Sequence, residues 1–130
     1  MRLLLDTQIL IWLASERNKL NAREKAAIVT ADELLVSVLS LMEIRIKTRA
    51  ERRRGKSLTL MSPADAIAFC AERKITIYSL VADDLAVTLE IDPSHGDPFD
   101  ELMLAHAQAL QVRLLTRDRK LRKHPLAYPA

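Results

Sequence analysis

The sequence predicts an α/β protein, a three-layer α/β/α sandwich around a mainly parallel central sheet. Two observations carry that prediction. Short apolar runs alternate along the chain with amphipathic patterns of helical period, the order that a parallel sheet covered on both faces requires. The 130 residues contain no internal repeat, low-complexity tract or linker, and a chain of this length buries about two thirds of its unfolded surface in one domain. A single domain over residues 1–130 is therefore expected.

The elements follow in order. Leu3 to Leu5 form a short apolar run ended by Asp6, and Ile9, Leu10, Trp12 and Leu13 then recur at helical spacing, giving a strand and a helix. Asn21, with Glu24 three residues on, is a capping box that opens a second helix. "ELLVSV" from Glu33 reads as a buried strand. "SLMEIRIKTRAERRR" reads as a helix begun by a capping box of Ser40 and Glu43, with Leu39, Met42, Ile46 and Ala50 as its apolar stripe. After the break at Gly55, Ser62 as cap, Pro63 in the first turn and Asp65 at the third position start another helix. The β-branched alternation of "ITIYSL" is a strand, and "ADDLAVTLEI" holds a short helix. In "SHGDPFDELMLAHA" Asp97 caps a helix, Pro98 enters its first turn and Asp100 faces its positive end. That helix runs to Gln111, "VRLLT" is the last strand, and a basic tail carrying Pro125 and Pro129 follows.

Composition narrows the chemistry. Apolar residues make up 49% of the chain and aromatics only 4%, so the core is aliphatic. Cys70 is the only cysteine, which excludes an intrachain disulfide and a CxxC metal knuckle and suits a reducing cytoplasm. Asp6 interrupts the N-terminal apolar run too early for a signal sequence, and no uncharged stretch approaches the roughly 18 residues of a membrane span. A soluble, cytoplasmic protein with no membrane partner is expected. Charge is uneven: residues 1–56 carry twelve Lys/Arg against seven acids, residues 57–116 three against nine, and residues 117–130 five against one. If the basic ends meet in space, they flank an acidic centre, as in a nucleic-acid enzyme that works through metal ions.

Ligands of open parallel sheets bind beyond the carboxyl ends of the strands. Asp6 follows the first strand, Glu43 lies in the helix after the second, Asp97 and Asp100 open the helix before the last strand, and Asp118 follows that strand. Taken singly, each is accounted for as a helix cap or a capping-box acid. Taken together on one sheet edge they form a cluster in which pairs about 4 Å apart would repel by about 4 kcal/mol at an effective dielectric of 20, a cost that a cation relieves. Oxygen donors with no Cys, HxxxH or HExxH pair favour Mg²⁺ or Mn²⁺ over Zn²⁺.

"LLLDTQILIWL", "VSVLSLMEI", "HGDPFDELMLAHA" and "LLTRD" followed by Leu121 resemble, in order and spacing, the successive motifs of PIN-domain ribonucleases, above all the VapC-type toxins of bacterial toxin–antitoxin pairs. The resemblance spans nearly the whole chain. It implies the PIN-like sandwich, an Mg²⁺- or Mn²⁺-dependent endoribonuclease, an RNA substrate, a cognate antitoxin and a homodimer. Residue by residue, Asp6, Glu43, Asp100 and Asp118 match the family's acidic quartet, catalytic and metal-holding. Asp97 is a secondary candidate, and Thr116 matches a hydroxyl that orients the last acid or a water. Three positions depart from the pattern: Gln8 stands where His is frequent, Glu101 where a basic residue is frequent, and His106 where Gln is frequent.

Arg45, Arg49, Arg52, Arg53 and Lys56 fall on one side of the long helix, with Lys47 and Arg54 widening the stripe. They are either a solvated face or RNA-phosphate contacts, in which case binding weakens steeply with salt. Arg117, Arg119, Lys120, Arg122 and Lys123 form a second, less regular set. His95, two residues before Asp97, either fixes its loop or touches substrate. His106 is expected on a helix surface or in packing, His124 carries no signal, and Trp12 is expected in the core, with a homodimer seam as the other reading. The competing functions are a DNA nuclease with the same metals, a catalytically silent binding module of the same fold, and a receiver-type phosphoryl-transfer domain around Asp6. The last is disfavoured because no second acid stands at position 8 and no Lys directly follows the final strand. The silent module is disfavoured because all four quartet positions are carboxylates.

Overall fold

The computed structural model describes residues 1–55, 61–93 and 96–129. Two expected functional positions, Lys56 and His95, lie outside the described residues. The elements are β1 (Arg2–Leu5), α1 (Thr7–Ser15), a 3-10 turn at Arg17–Lys19, α2 (Ala22–Thr30), β2 (Glu33–Ser37), α3 (Val38–Arg53), α4 (Pro63–Glu72), β3 (Thr76–Tyr78), α5 (Ala82–Ala86), α6 (Pro98–Leu110), β4 (Arg113–Leu115) and α7 (Arg119–Arg122). The four strands form one parallel sheet in the order β3-β2-β1-β4. β1, the most apolar strand, is central. Leu3 and Leu5 face one helical layer, with Ile9, Leu10, Ala27, Ala66 and Cys70, while Leu4 faces the other, with Leu104, Ala107 and Leu121. This two-sided burial is why β1 reads as an unbroken leucine run rather than as an alternation. Truncating Leu4, fully buried between the layers, is expected to cost about 2–5 kcal/mol.

Most helix starts form as the sequence predicts. Asn21 with Glu24, and Ser62 with Asp65, make reciprocal capping boxes, and Gly55 adopts a positive φ just past α3. One start differs. α3 begins at Val38, capped by Ser37, whose Oγ accepts from the Leu39 backbone N–H at 3.0 Å. Ser40 is not a cap but a buried residue of the first turn, bonded to Thr7 Oγ1 at 2.9 Å. Two serines three residues apart offer the same local chemistry, and the end of β2 at Ser37 selects the first. The stripe moves with the start: Leu39, Ile44 and Thr48 are buried, whereas Met42 and Ile46 are about half exposed. Two other elements are shorter than predicted, "ITIYSL" giving Thr76–Tyr78 and "ADDLAVTLEI" giving Ala82–Ala86.

The chain's basic ends do meet. β4 pairs with β1, Arg117 two residues after β4 reaches back to Glu24 of α2, and the Arg23 guanidinium lies 5.6 Å from the Tyr128 ring centroid. Residues 126–128 cover the outer side of β4: Leu126 O accepts from Leu114 N–H at 2.9 Å, and Tyr128 N–H donates to Leu114 O at 2.8 Å. His124 is not silent either. Its Nδ1 accepts from the Leu126 backbone, so its Nε2 is the nitrogen that donates to Ile91 O at 2.7 Å. No described helix is long and apolar enough to cross a membrane.

Candidate active site

In this strand order the chain steps outward from β1 to β3 on one side and places β4 on the other. The crevice at the carboxyl ends of β1 and β4 is therefore the switch point at which open α/β sheets bind ligands. Asp6 lies there directly after β1, and its backbone N–H extends the ladder to Leu115 O at 3.0 Å. A cleft of about 370 Å³ opens over it and is lined by Asp6, Glu43, Asp97, Asp100 and Asp118 together with Thr7, Gln8, Trp12, Lys47 and Arg117. All five acids singled out from sequence thus share one cleft. The stripe of Arg45, Arg49 and Arg52 lies elsewhere, along a groove between α3 and α4 that Ser62 and Ile67 also line. Arg53 is exposed near the end of α3.

Three of the acids are also helix caps. Asp6 Oδ1 accepts from Thr7 N–H at 2.9 Å, Asp97 Oδ1 from Phe99 N–H at 2.9 Å and Asp100 N–H at 3.4 Å, and Asp118 Oδ1 from Lys120 N–H at 2.8 Å. Capping uses one oxygen and fixes the carboxylate plane. Glu43 has no such duty. With α3 starting at Val38 it stands in the second turn, where it pairs with Lys47 at 3.0 Å. The capping-box explanation for Glu43 therefore falls away. Asp100 sits in the first turn of α6, beyond the cap that Asp97 makes.

Thr116 lies at the centre. Its hydroxyl donates to Asp6 Oδ2 at 2.6 Å and accepts from the Asp118 backbone N–H at 3.1 Å, so it orients the first acid and holds the loop that carries the last. Burial drives the Asp6 carboxyl up to about 6; the bonds from Thr116 and Thr7 oppose this, and the negative charges of Glu43 and Asp100 add to it. A carboxyl that resists ionising mainly because it is buried, and further because other acids lie near it, is one whose charge a cation would stabilise. The donor set is all oxygen, which suits Mg²⁺ or Mn²⁺. Among the described residues no three His, Cys, Asp or Glu side chains close around one point. The fit is thus to an ion that keeps most of its waters and takes one or two carboxylates, as Mg²⁺ does.

Two neighbours of the cleft carry no warning in local sequence. Trp12, expected in the core, is half-buried and lines the cleft, with the Arg117 guanidinium 4.3 Å from its ring centroid. Arg117, predicted as part of a second, less regular basic set, donates through Nε to Glu24 Oε2 at 2.9 Å and through a terminal nitrogen to Glu24 Oε1 and to Lys19 O, the last at 2.7 Å. Glu24 is buried, which by itself raises its pKa, yet Arg117 and the Asn21 backbone N–H bring it below the usual range. A third residue, His106, is fully buried, its Nδ1 2.7 Å from Ser37 Oγ, and burial lowers its pKa.

A parallel α/β sheet with an acidic cleft at its switch point defines a class of site suited to a hydrated divalent ion, and comparison with known proteins narrows the class. The PIN domain family profile matches residues 3–125. The chain is 33% identical over 124 residues to Ribonuclease VapC22 of Mycobacterium tuberculosis (strain ATCC 25618 / H37Rv), which covers 93% of this chain and 90% of that protein. Two solved structures superpose with a TM-score of 0.62. One is VapBC2 from Rickettsia felis bound to a DNA fragment from their promoter, at 14% identity over 98% of this chain and 96% of that one. The other is a toxin–antitoxin complex from Klebsiella pneumoniae, at 20% identity over 97% and 95%. At those identities the superpositions speak for the fold. This chain belongs to the PIN domain family.

Proposed function

We propose that this chain is a VapC-type toxin, a metal-dependent endoribonuclease acting as one nuclease domain in the bacterial cytoplasm and inhibited by a cognate antitoxin. The observation that carries the reading is the cleft at the switch point of a PIN-family sheet, lined by Asp6, Glu43, Asp100 and Asp118. The similarity to Ribonuclease VapC22 supports RNA as the substrate, and the two complexes with the same fold support an antitoxin partner.

Asp6, Asp100, Asp118 and Glu43 are the residues that would hold a hydrated Mg²⁺ or Mn²⁺, one or two of them directly and the others through its waters. Such an ion supplies charge neutralisation at the phosphodiester and acidifies the attacking water. The chain's own part is positioning. Thr116 and the Thr7 N–H fix both oxygens of Asp6, Asp97 caps α6 so that Asp100 starts from a rigid turn, and Lys47 holds Glu43 in place beside the cleft through their ion pair. Arg45, Arg49, Arg52 and Arg53 serve as phosphate contacts for RNA strands that run along α3. Exposed apolar side chains at Val81, Leu85, Val87 and Ile91 offer a surface for a homodimer.

The test is cleavage of total bacterial RNA by the purified chain with Mg²⁺ or Mn²⁺, beside single-stranded DNA of matched length. RNA should be cut, and Asp100→Asn should lower the rate at least ~100-fold with an unchanged circular dichroism spectrum. Full activity in the folded variant, or cleavage of DNA alone, would sink the proposal.

A further inference from the structure

Among the described residues, two cations line the acid cleft. Lys47 is committed to Glu43. Arg117 is different, because its carboxylate partner lies outside the cleft, on α2. Glu24 grips Nε and one terminal nitrogen, Lys19 O takes a second bond from that nitrogen, and Trp12 supports the guanidinium from one face. The other terminal nitrogen has no partner among the described residues, and over a third of the side chain is exposed. A guanidinium locked on one edge and one face, with its remaining N–H groups at the rim of a cleft, is pre-organised for an oxyanion. It stands between Thr116, which bonds Asp6, and Asp118, which lines the cleft. An anion there would be a close neighbour of whatever the acids hold.

We propose that Arg117 binds a phosphate of the RNA backbone next to the scissile one, with Glu24 and Trp12 as the residues that position it. This rests on the ribonuclease reading and adds to it. The cleft then recognises consecutive phosphates, and a lone phosphodiester is a poor ligand. The basic tail contributes one fixed contact through Arg117 rather than a diffuse positive field.

The experiment measures binding of a fluorescein-labelled, random-sequence 12-nucleotide RNA by anisotropy, with Ca²⁺ replacing Mg²⁺, across a salt series. Arg117→Gln, which can still donate to Glu24, should raise Kd about tenfold and make the log–log salt slope shallower by about 0.7, the value of one single-strand phosphate. Arg117→Lys keeps the charge without the fork. It should raise Kd several-fold with the slope unchanged. Trp12 is the only tryptophan in the chain, so its emission in the unaltered protein should change on adding unlabelled RNA, a readout that needs no variant to fold. Wild-type Kd and slope in a folded Arg117→Gln, or Trp12 emission blind to RNA, would overturn the assignment. Either result with cleavage intact removes only the Arg117 contact, whereas an unaltered protein that cuts no RNA removes the ribonuclease reading itself.

Discussion

Asp6→Asn offers a demanding test of the cleft because its sign runs against intuition. The carboxyl is raised from 3.8 to about 6. A group whose pKa is raised on folding contributes its full stability below the unfolded value and loses it as pH rises through the folded one. In metal-free protein at neutral pH, the ionised Asp6 therefore costs on the order of 3 kcal/mol. Asn carries no such charge and can still accept from Thr7 N–H, so with some loss at Thr116 the variant should be more stable than the wild type by about 2 kcal/mol. With an unfolding entropy of about 2.1 cal/mol/K per residue, that is roughly 7 °C in Tm for a chain of this size. Thermal melts in EDTA from about pH 4 to about pH 8 should show two curves that nearly coincide at the acid end, separate between about pH 4 and about pH 6, and keep a constant gap above that. Magnesium at ten times its Kd should return about 1.4 kcal/mol, or roughly 5 °C, to the wild type and little to the variant. A gap that does not depend on pH, a less stable variant at neutral pH, or equal magnesium shifts would refute the reasoning.

Four further outcomes follow from other parts of the molecule. Glu24→Gln should cost about 1–2 kcal/mol in urea unfolding; because the Glu24 pKa is lowered, the wild type's advantage should be present at neutral pH and shrink as pH falls into the acid range. Ser37→Ala should cost about 1–3 kcal/mol by removing the bond to the buried His106 ring. His106 itself, its pKa lowered by burial, makes the wild type less stable as pH falls below its ordinary value near 6.5, opposite in sign to Asp6, and His106→Gln should remove that component of a pH–stability curve. Reversing Arg49, Arg52 and Arg53 to Glu should weaken RNA binding and flatten its salt dependence; an unchanged anisotropy titration would return the α3 stripe to a solvated face.

The fold was legible because its signals are local and periodic. The leucine run of β1, the Asn21 and Ser62 capping boxes and the Asp97–Pro98 start all act within a few residues, and all form where they were read. Local reading fails where two sites offer equal chemistry. Ser37 and Ser40 cap equally well on paper, and only the length of β2, set by pairing with β1 and β3, decides between them. The acids were legible as a set through their places after strands. Their supports were legible only in part: the resemblance marks Thr116 as orienting the last acid or a water but not its reach to Asp6 across 110 positions, and nothing local joins Arg117 to Glu24 across 93 or Ser37 to His106 across 69. Such pairs leave no periodic trace, which is why the sequence places Trp12 in the core or a dimer seam, with no sign of its contact to Arg117, and Arg117 in a second, less regular basic set.

The strap of residues 126–128 over β4 has a consequence outside the chemistry. A parallel sheet this small has two open borders, and each is a template on which a foreign strand can grow. On one border β3 is only three residues long, too short to invite much pairing. On the other, Leu126 and Tyr128 occupy the backbone groups of Leu114. Proteolytic trimming back to Pro125 would leave the cleft acids in place and bare that border, so the first symptom of a nicked tail should be slow self-association of folded molecules rather than lost activity.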